Sequence, residues 1–176
     1  MGVGWRALPR LLVSRGLYTE RITHRPTRSL FVRHIDGGSS NLAEAELTSL
    51  IGPVYNLARY GVRFVASPSH ADVLLLTGPL TRNMVGPAHA AFEVMPEPKA
   101  IVTVGDYWPG AKPVPASDEV SKQQVAAAFG GSYAIVDLPP DMRRAVLGHV
   151  AGDPPEPQEL IEALLQAAKE RPRRHR

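Results

Sequence analysis

The eight residues His34-Ile35-Asp36-Gly37-Gly38-Ser39-Ser40-Asn41 crowd a carboxylate, two glycines, two hydroxyls and an amide between a β-branched run and a helical pattern. Backbone N–H groups of a glycine turn at a helix start suit an anion. The specific fingerprints of nucleotide sites, G-x-G-x-x-G and G-x-x-x-x-G-K-[ST], are missing here, and Ser or Asn before a helix also serves as a plain cap. The histidines, His24, His34, His70, His89, His149 and His175, are scattered, with no H-E-x-x-H and no i, i+4 pair. His70 and Asp72 share a side of an extended segment, which makes two ligands and not a metal site. No G-x-S-x-G elbow marks a nucleophilic serine. Asp106 and Asp153 are two carboxylates that a sheet edge can bring together or simply leave in water. The chain has no cysteine, which excludes disulfides, a catalytic thiol and Cys-ligated metal.

The elements that position these residues read as an α/β alternation. Strands are predicted at 29–35, 62–66, 73–77, 100–105, 133–138 and about 146–150. The runs "VLLLT" and "AIVTVG" are the continuous apolar type that is buried on both faces. Helices are predicted at 41–60 with an interruption at Gly52-Pro53, at 82–95 with a break at Gly86-Pro87, at "SKQQVAAAF" (121–129), and at 155–170. Leu160, Leu164 and Ala167 recur there at helical spacing, behind an early proline and a first-turn Glu. Residues 106–120 read as loop. The expected fold class is α/β: a mainly parallel sheet with helices on both faces, a partial flavodoxin-like arrangement, plus an N-terminal amphipathic arm. Ligands of such sheets sit beyond the carboxyl ends of the strands. Four loops are expected at that edge: Asp36–Asn41, Thr77–Arg82, Gly105–Gly110 and 151–157.

Charge is divided along the chain. Residues 1–30 carry net +5, residues 169–176 net +4 and the intervening body net −6. A nucleic-acid domain would place positive charge on a folded face, so an acidic partner or an anionic membrane surface fits the basic ends better. The expected organisation is an arm and linker at 1–28, an α/β domain at 29–170 and a basic tail at 171–176. In the arm, Trp5, Leu8, Leu11, Leu12 and Val13 alternate with arginines in a short amphipathic helix broken by Pro9. It reads as a docking arm, with an organelle-targeting peptide as the alternative. No apolar run reaches the roughly 18–20 residues of a membrane span.

The stretches "SLFVRHIDGGSSNLAEAEL", "YGVRFVASPSHADVLLLTGPLTRNM", "MPEPKAIVTVGDY" and "GDPPEPQELIEALL" resemble the small electron-transfer subunit of energy-converting, group 4 nickel–iron hydrogenases of the formate hydrogenlyase kind. The same subunit is the 20 kDa, B-type subunit of respiratory complex I. The resemblance covers about residues 29–168. It implies a 4Fe–4S cluster held in the four loops by cysteines of the patterns Gly-Ser-Cys-Asn-Gly-Cys-Glu, Gly-Asp/Ser-Cys and Pro-Gly-Cys-Pro-Pro. Laid on this chain, those cysteines fall on Ser40, Ala43, Tyr107 and Asp153, so all four are replaced. A cluster wants soft thiolates, and two oxygens, a phenol and a methyl group do not supply them.

The cofactor expectation is therefore none, with the Tyr107 ring, beside Trp108, filling the space. The resemblance further implies that Thr77, Gly78, Pro79, Thr81, Arg82 and Met84 face a large hydrogenase- or complex I-like subunit. Membrane-arm subunits and a ferredoxin-like subunit are further partners, and nucleic acid is not one. The location implied is peripheral, on the cytoplasmic side of the inner membrane. The reading reached is a cluster-less, non-redox structural subunit. Its alternatives are a subunit of a complex that still does redox chemistry by another route, and a free-standing module binding a small anion at Gly37–Asn41.

Overall fold

The computed structural model describes residues 29–106 and 132–171. The sheet grows from its two most apolar runs. β3 (Val73–Thr77) and β4 (Ala100–Val104) are buried along their whole length, as strands covered on both faces must be. β1 (Leu30–Asp36) lies on the other side of β3, β2 (Val62–Phe64) beyond it, and β5 (Val146–Val150) beyond β4, giving the order β2-β1-β3-β4-β5. Every pairing is parallel. This is the flavodoxin-like order, whose switch point lies between β1 and β3.

Strand alternation sends two sets of side chains to two cores. Leu30, Val32, Val73, Leu75, Val102 and Val104 pack with α1 (Leu42–Ile51) and α4 (Pro157–Glu170) on one face. Ile35, Leu74, Leu76 and Ile101 pack with α2 (Arg82–Val94) and α3 (Pro140–Arg144) on the other. In α1 the buried positions are Ala43, Leu47 and Leu50, and in α4 Leu160, Ile161, Leu164, Leu165 and Ala167, the stripe spacing of a helix laid on a sheet.

Several sequence expectations are corrected. The helix predicted over 41–60 is interrupted at Gly52-Pro53 as expected, α1 ending at Ile51, but beyond the break only a short 3₁₀ turn, Leu57–Tyr60, follows. Pro53 has no N–H to continue the ladder and disfavours helical geometry at Gly52. The break expected at Gly86-Pro87 does not occur, since α2 runs through both. Asn83, Gly86 and Pro87 are all exposed, so the carbonyl left without its partner meets water and carries little penalty. Residues 133–138 are not a strand. They lie against the loop before α2, making one antiparallel bridge between Thr81 and Ile135. The N–H of Arg82 donates to the Ala134 carbonyl (2.7 Å) and that of Val136 to the Leu80 carbonyl (2.9 Å); a loop offers those two bonds and no ladder. Strand 62–66 ends at Phe64, and α3 is an addition to the sequence reading. The predicted arm, the helix at 121–129, most of the 106–120 loop and residues 172–176 lie outside the described residues. Arg171, assigned to the basic tail, is buried against Asp72, so the folded body includes it.

Candidate functional site

Each loop at the carboxyl edge is shaped by a local rule and then tied to its neighbours. Asp36 accepts the N–H groups of Gly38 (2.8 Å) and Ser39 (2.7 Å), an Asx turn that reverses the chain after β1. The Gly37 N–H donates to the Thr77 carbonyl (2.9 Å), and the Gly37 carbonyl accepts both the Thr81 N–H (2.9 Å) and the Thr81 hydroxyl (2.8 Å). Gly78 donates to the Val104 carbonyl and Gly105 to the Val150 carbonyl, both at 2.9 Å. The Gly152 N–H donates to Asp106 Oδ1 (2.6 Å), and the Ser40 hydroxyl donates to Asp153 Oδ1 (2.6 Å). Four loops from distant parts of the chain are thus joined in series.

Below the first loop lies a polar knot that the sequence did not reveal. Glu44, in the first turn of α1, accepts the Ser39 hydroxyl through Oε2 (2.5 Å) and the Thr77 hydroxyl through Oε1. His34 Nε2 is 2.9 Å from Thr77 Oγ1 and 3.4 Å from Glu44 Oε1. A hydroxyl has one proton, so with Glu44 taking it the His34 Nε2–H donates to Thr77. On the other side His149 Nδ1 stands 2.9 Å from Thr103 Oγ1. Burial lowers the pKa of both imidazoles below the ordinary 6.5; Glu44 opposes this at His34, and Asp106 at His149.

A basic group whose folded pKa is depressed contributes stability above its unfolded pKa, and that contribution is lost as pH falls through the unfolded value toward the folded one. Lowering the pH from about 7 to about 5.5 should therefore lower the Tm. The double variant His34→Asn/His149→Asn should show a smaller Tm drop across that window; an unchanged drop would show that other groups set it.

The residues singled out from sequence are placed as follows. Ser40 and Asp153 are brought into direct contact, and Ala43 is buried at 2 % exposure on the sheet side of α1. Tyr107, with Trp108, lies outside the described residues. Thr77, Gly78 and Pro79 are buried by this chain's own first loop, Thr81 and Met84 are half-buried, and Arg82 is exposed. Asp106 accepts the Gly152 N–H, while Asp153, the next residue of that loop, accepts the Ser40 hydroxyl, so the two carboxylates do not share a partner. His70 and Asp72 do not converge: His70 is exposed on a 3₁₀ turn, whereas Asp72 is buried with Arg171. Among the described residues no three His, Cys, Asp or Glu side chains are grouped to hold a metal ion.

A parallel α/β chain of flavodoxin-like order, with four joined loops beyond its strand ends, is the class that this geometry defines. The chain belongs to the family described as NADH ubiquinone oxidoreductase, 20 Kd subunit, whose model matches residues 41–167. It is similar to the probable membrane-bound hydrogenase subunit mbhJ of Pyrococcus furiosus, with 30% identity over 144 residues, 80% of this chain and 74% of that protein. Formate hydrogenlyase subunit 7 of Escherichia coli is 40% identical over 78 residues, which span 44% of this chain and 31% of that protein. A chain from the structure of the membrane-bound sulfane sulfur reductase, an archaeal respiratory membrane complex, superposes with a TM-score of 0.57 at 19% identity, over 81% of this chain and 70% of that one. That likeness bears on the fold alone.

The residues at the positions implied for a 4Fe–4S cluster do not fit one. Each iron of a cube takes one outward ligand, so the ligand atoms diverge and cannot stand in hydrogen-bond contact with each other. Ser40 and Asp153 do stand so, both are hard oxygen donors, and Ala43 offers no donor atom. Cluster irons require soft thiolates.

Proposed function

We propose that this chain is a cluster-less, non-redox structural subunit of a membrane-bound hydrogenase-like or complex I-like assembly. In that role it bridges a large catalytic-type subunit and the membrane arm. The observation carrying this reading is the Ser40–Asp153 hydrogen bond, 2.6 Å long, between two positions where the family resemblance implies cluster cysteines. The bond joins the first and last loops of the edge, the mechanical task that a bound cluster would otherwise perform.

The large subunit is met through the first turn of α2, where Arg82 is exposed and Met84 partly so, while Thr77–Pro79 are spent inside the chain. The relatives' names, which speak of membrane-bound hydrogenase and formate hydrogenlyase, support assembly into a complex of that kind. Among the described residues no helix is long and apolar enough to cross a membrane, in keeping with a peripheral position, which we place on the cytoplasmic face.

The test is iron and labile sulfide per chain, after purification from native membranes and again after anaerobic incubation with iron and sulfide. The wild-type chain is expected to hold neither. The variant Ser40→Cys/Ala43→Cys/Tyr107→Cys/Asp153→Cys is expected to take up about four irons, with the visible absorption of a thiolate-bound cluster. About four irons on the wild-type chain would overturn the reading.

A further inference from the structure

Arg33 is a cation that finds no partner among the described residues. It sits at the middle of β1, half-buried, and its Nε is fully buried with no hydrogen-bond partner among the described residues. A buried N–H left unpaired costs the desolvation of that group, and a guanidinium is built to bind a carboxylate through two parallel bonds.

The surroundings say what kind of carboxylate. A cleft of about 260 Å³ opens between β1, the end of β2 and the side of α1, with Arg33 and Thr48 as polar groups and Leu47, Ile51, Phe64 and Val65 as apolar wall. Glu44 and His34 also line it, but both Glu44 oxygens are taken by Ser39 and Thr77 and do not answer Arg33. The volume lies below the roughly 300–1,000 Å³ of small-molecule sites and suits one or two inserted side chains. On the rim Ile51 is 64% exposed, and Val54, three residues further along the chain, is 63% exposed. The exposed positions of α1 itself, Leu42, Ala45, Thr48 and Ile51, carry no charge. An arginine in a partly desolvated pocket with an apolar surround is the composition of an interface anchor.

We infer that Arg33 and the apolar rim around it form a docking socket for a neighbouring subunit, which inserts an aspartate or glutamate flanked by an apolar residue. The inference rests on the subunit reading above and adds a second contact surface, on β1 and α1 rather than at the start of α2.

The experiment uses the full chain in its native membranes, with a photo-crosslinking phenylalanine analogue at Thr48, at Ile51 or, separately, at Arg82. Crosslinked peptides are sequenced by mass spectrometry. Thr48 and Ile51 are expected to capture one segment of one neighbour, with an acidic residue next to an apolar one. Arg33→Met should reduce co-purification with that neighbour at least about tenfold, whereas Lys169→Glu, on the exposed end of α4, should not. The isolated Arg33→Met chain should unfold at no lower urea concentration than wild type, because the cation has no partner to lose among the described residues. Arg33→Glu should be released as well, and recovered when the neighbour's acidic residue is changed to lysine.

A captured segment without a carboxylate, undiminished co-purification of Arg33→Met, or a destabilised isolated Arg33→Met chain would each overturn the inference. Capture at Arg82 with none at Thr48 or Ile51 would overturn it while leaving the subunit reading intact; no capture at any position would remove both.

Discussion

Replacing Asp72 by alanine is expected to cost about 3–5 kcal/mol of folding stability, an unusually large loss for one side chain. Asp72 precedes β3, Arg171 follows α4, and their side chains are 8% and 6% exposed. Asp72 Oδ1 accepts Arg171 Nη1 at 2.5 Å, and Oδ2 accepts the Phe31 N–H at 3.0 Å. Arg171 Nη1 also donates to the Pro98 carbonyl at 3.2 Å. The ion pair therefore fastens the end of α4 to the amino edge of the sheet, at the entries to β3 and β4 and beside β1. Removing Asp72 strands a buried guanidinium and leaves the Phe31 N–H without that acceptor. Arg171→Ala should cost less, because Asp72 keeps Phe31.

In a chain of this length the Asp72→Ala loss corresponds to a Tm lower by about 10 °C. A buried ion pair is not worth its gross attraction, since desolvation offsets most of it. The double variant Asp72→Leu/Arg171→Met should accordingly be more stable than either single alanine variant. Urea unfolding of the purified chains measures all four, and a loss under about 1 kcal/mol for Asp72→Ala would show that water reaches the pair.

This pair also marks the boundary of what the sequence made legible. Unbroken apolar runs name their own environment, so Val73–Thr77 and Ala100–Val104 were readable as inner strands, and with two of them parallel the carboxyl edge followed. The meeting of the four loops was readable for the same reason. The contacts that define the site were not. Asp72 and Arg171 are 99 residues apart and Ser40 and Asp153 are 113 apart, and no local pattern records such a pairing. Glu44 in the first turn of a helix reads as a complement to the helix dipole. Only the fold reveals that Ser39 and Thr77 consume its oxygens. Arg33 reads as a polar residue alternating along a strand, and its lack of a partner among the described residues is visible only in the fold. The helix α3 has five residues, too few for periodicity to register. The Gly86-Pro87 break failed because a punctuating pair acts through the groups it leaves unbonded, and here those groups face water.

Gly78→Ala is expected to cost about 2–5 kcal/mol, combining strain at positive φ with overpacking. Gly78 has φ +66°, and a Cβ there would stand 2.5 Å from the Cα and N of Ser39. Those atoms are backbone and cannot rotate aside. The methyl group would push the loop after β1 away from the loop after β3, where Thr81 meets Gly37 and Thr77 meets Glu44. Ser40 moves with Ser39, so the bond to Asp153 should fail in the same variant.

Gly86→Ala provides the contrast. That glycine lies inside α2, and beyond its chain neighbours and its own helix nothing stands within 4 Å of its Cβ position. The gain in helix propensity, about 1 kcal/mol, is opposed by crowding of the new Cβ against the Pro87 ring, so alanine there should change stability by less than about 1 kcal/mol. Chemical denaturation should show a large loss for Gly78→Ala and little change for Gly86→Ala, and co-purification with the membrane complex should fall only for Gly78→Ala. A Gly78→Ala chain as stable as wild type would mean that the two loops separate at little cost. Their contact could not then be what keeps this edge in one shape.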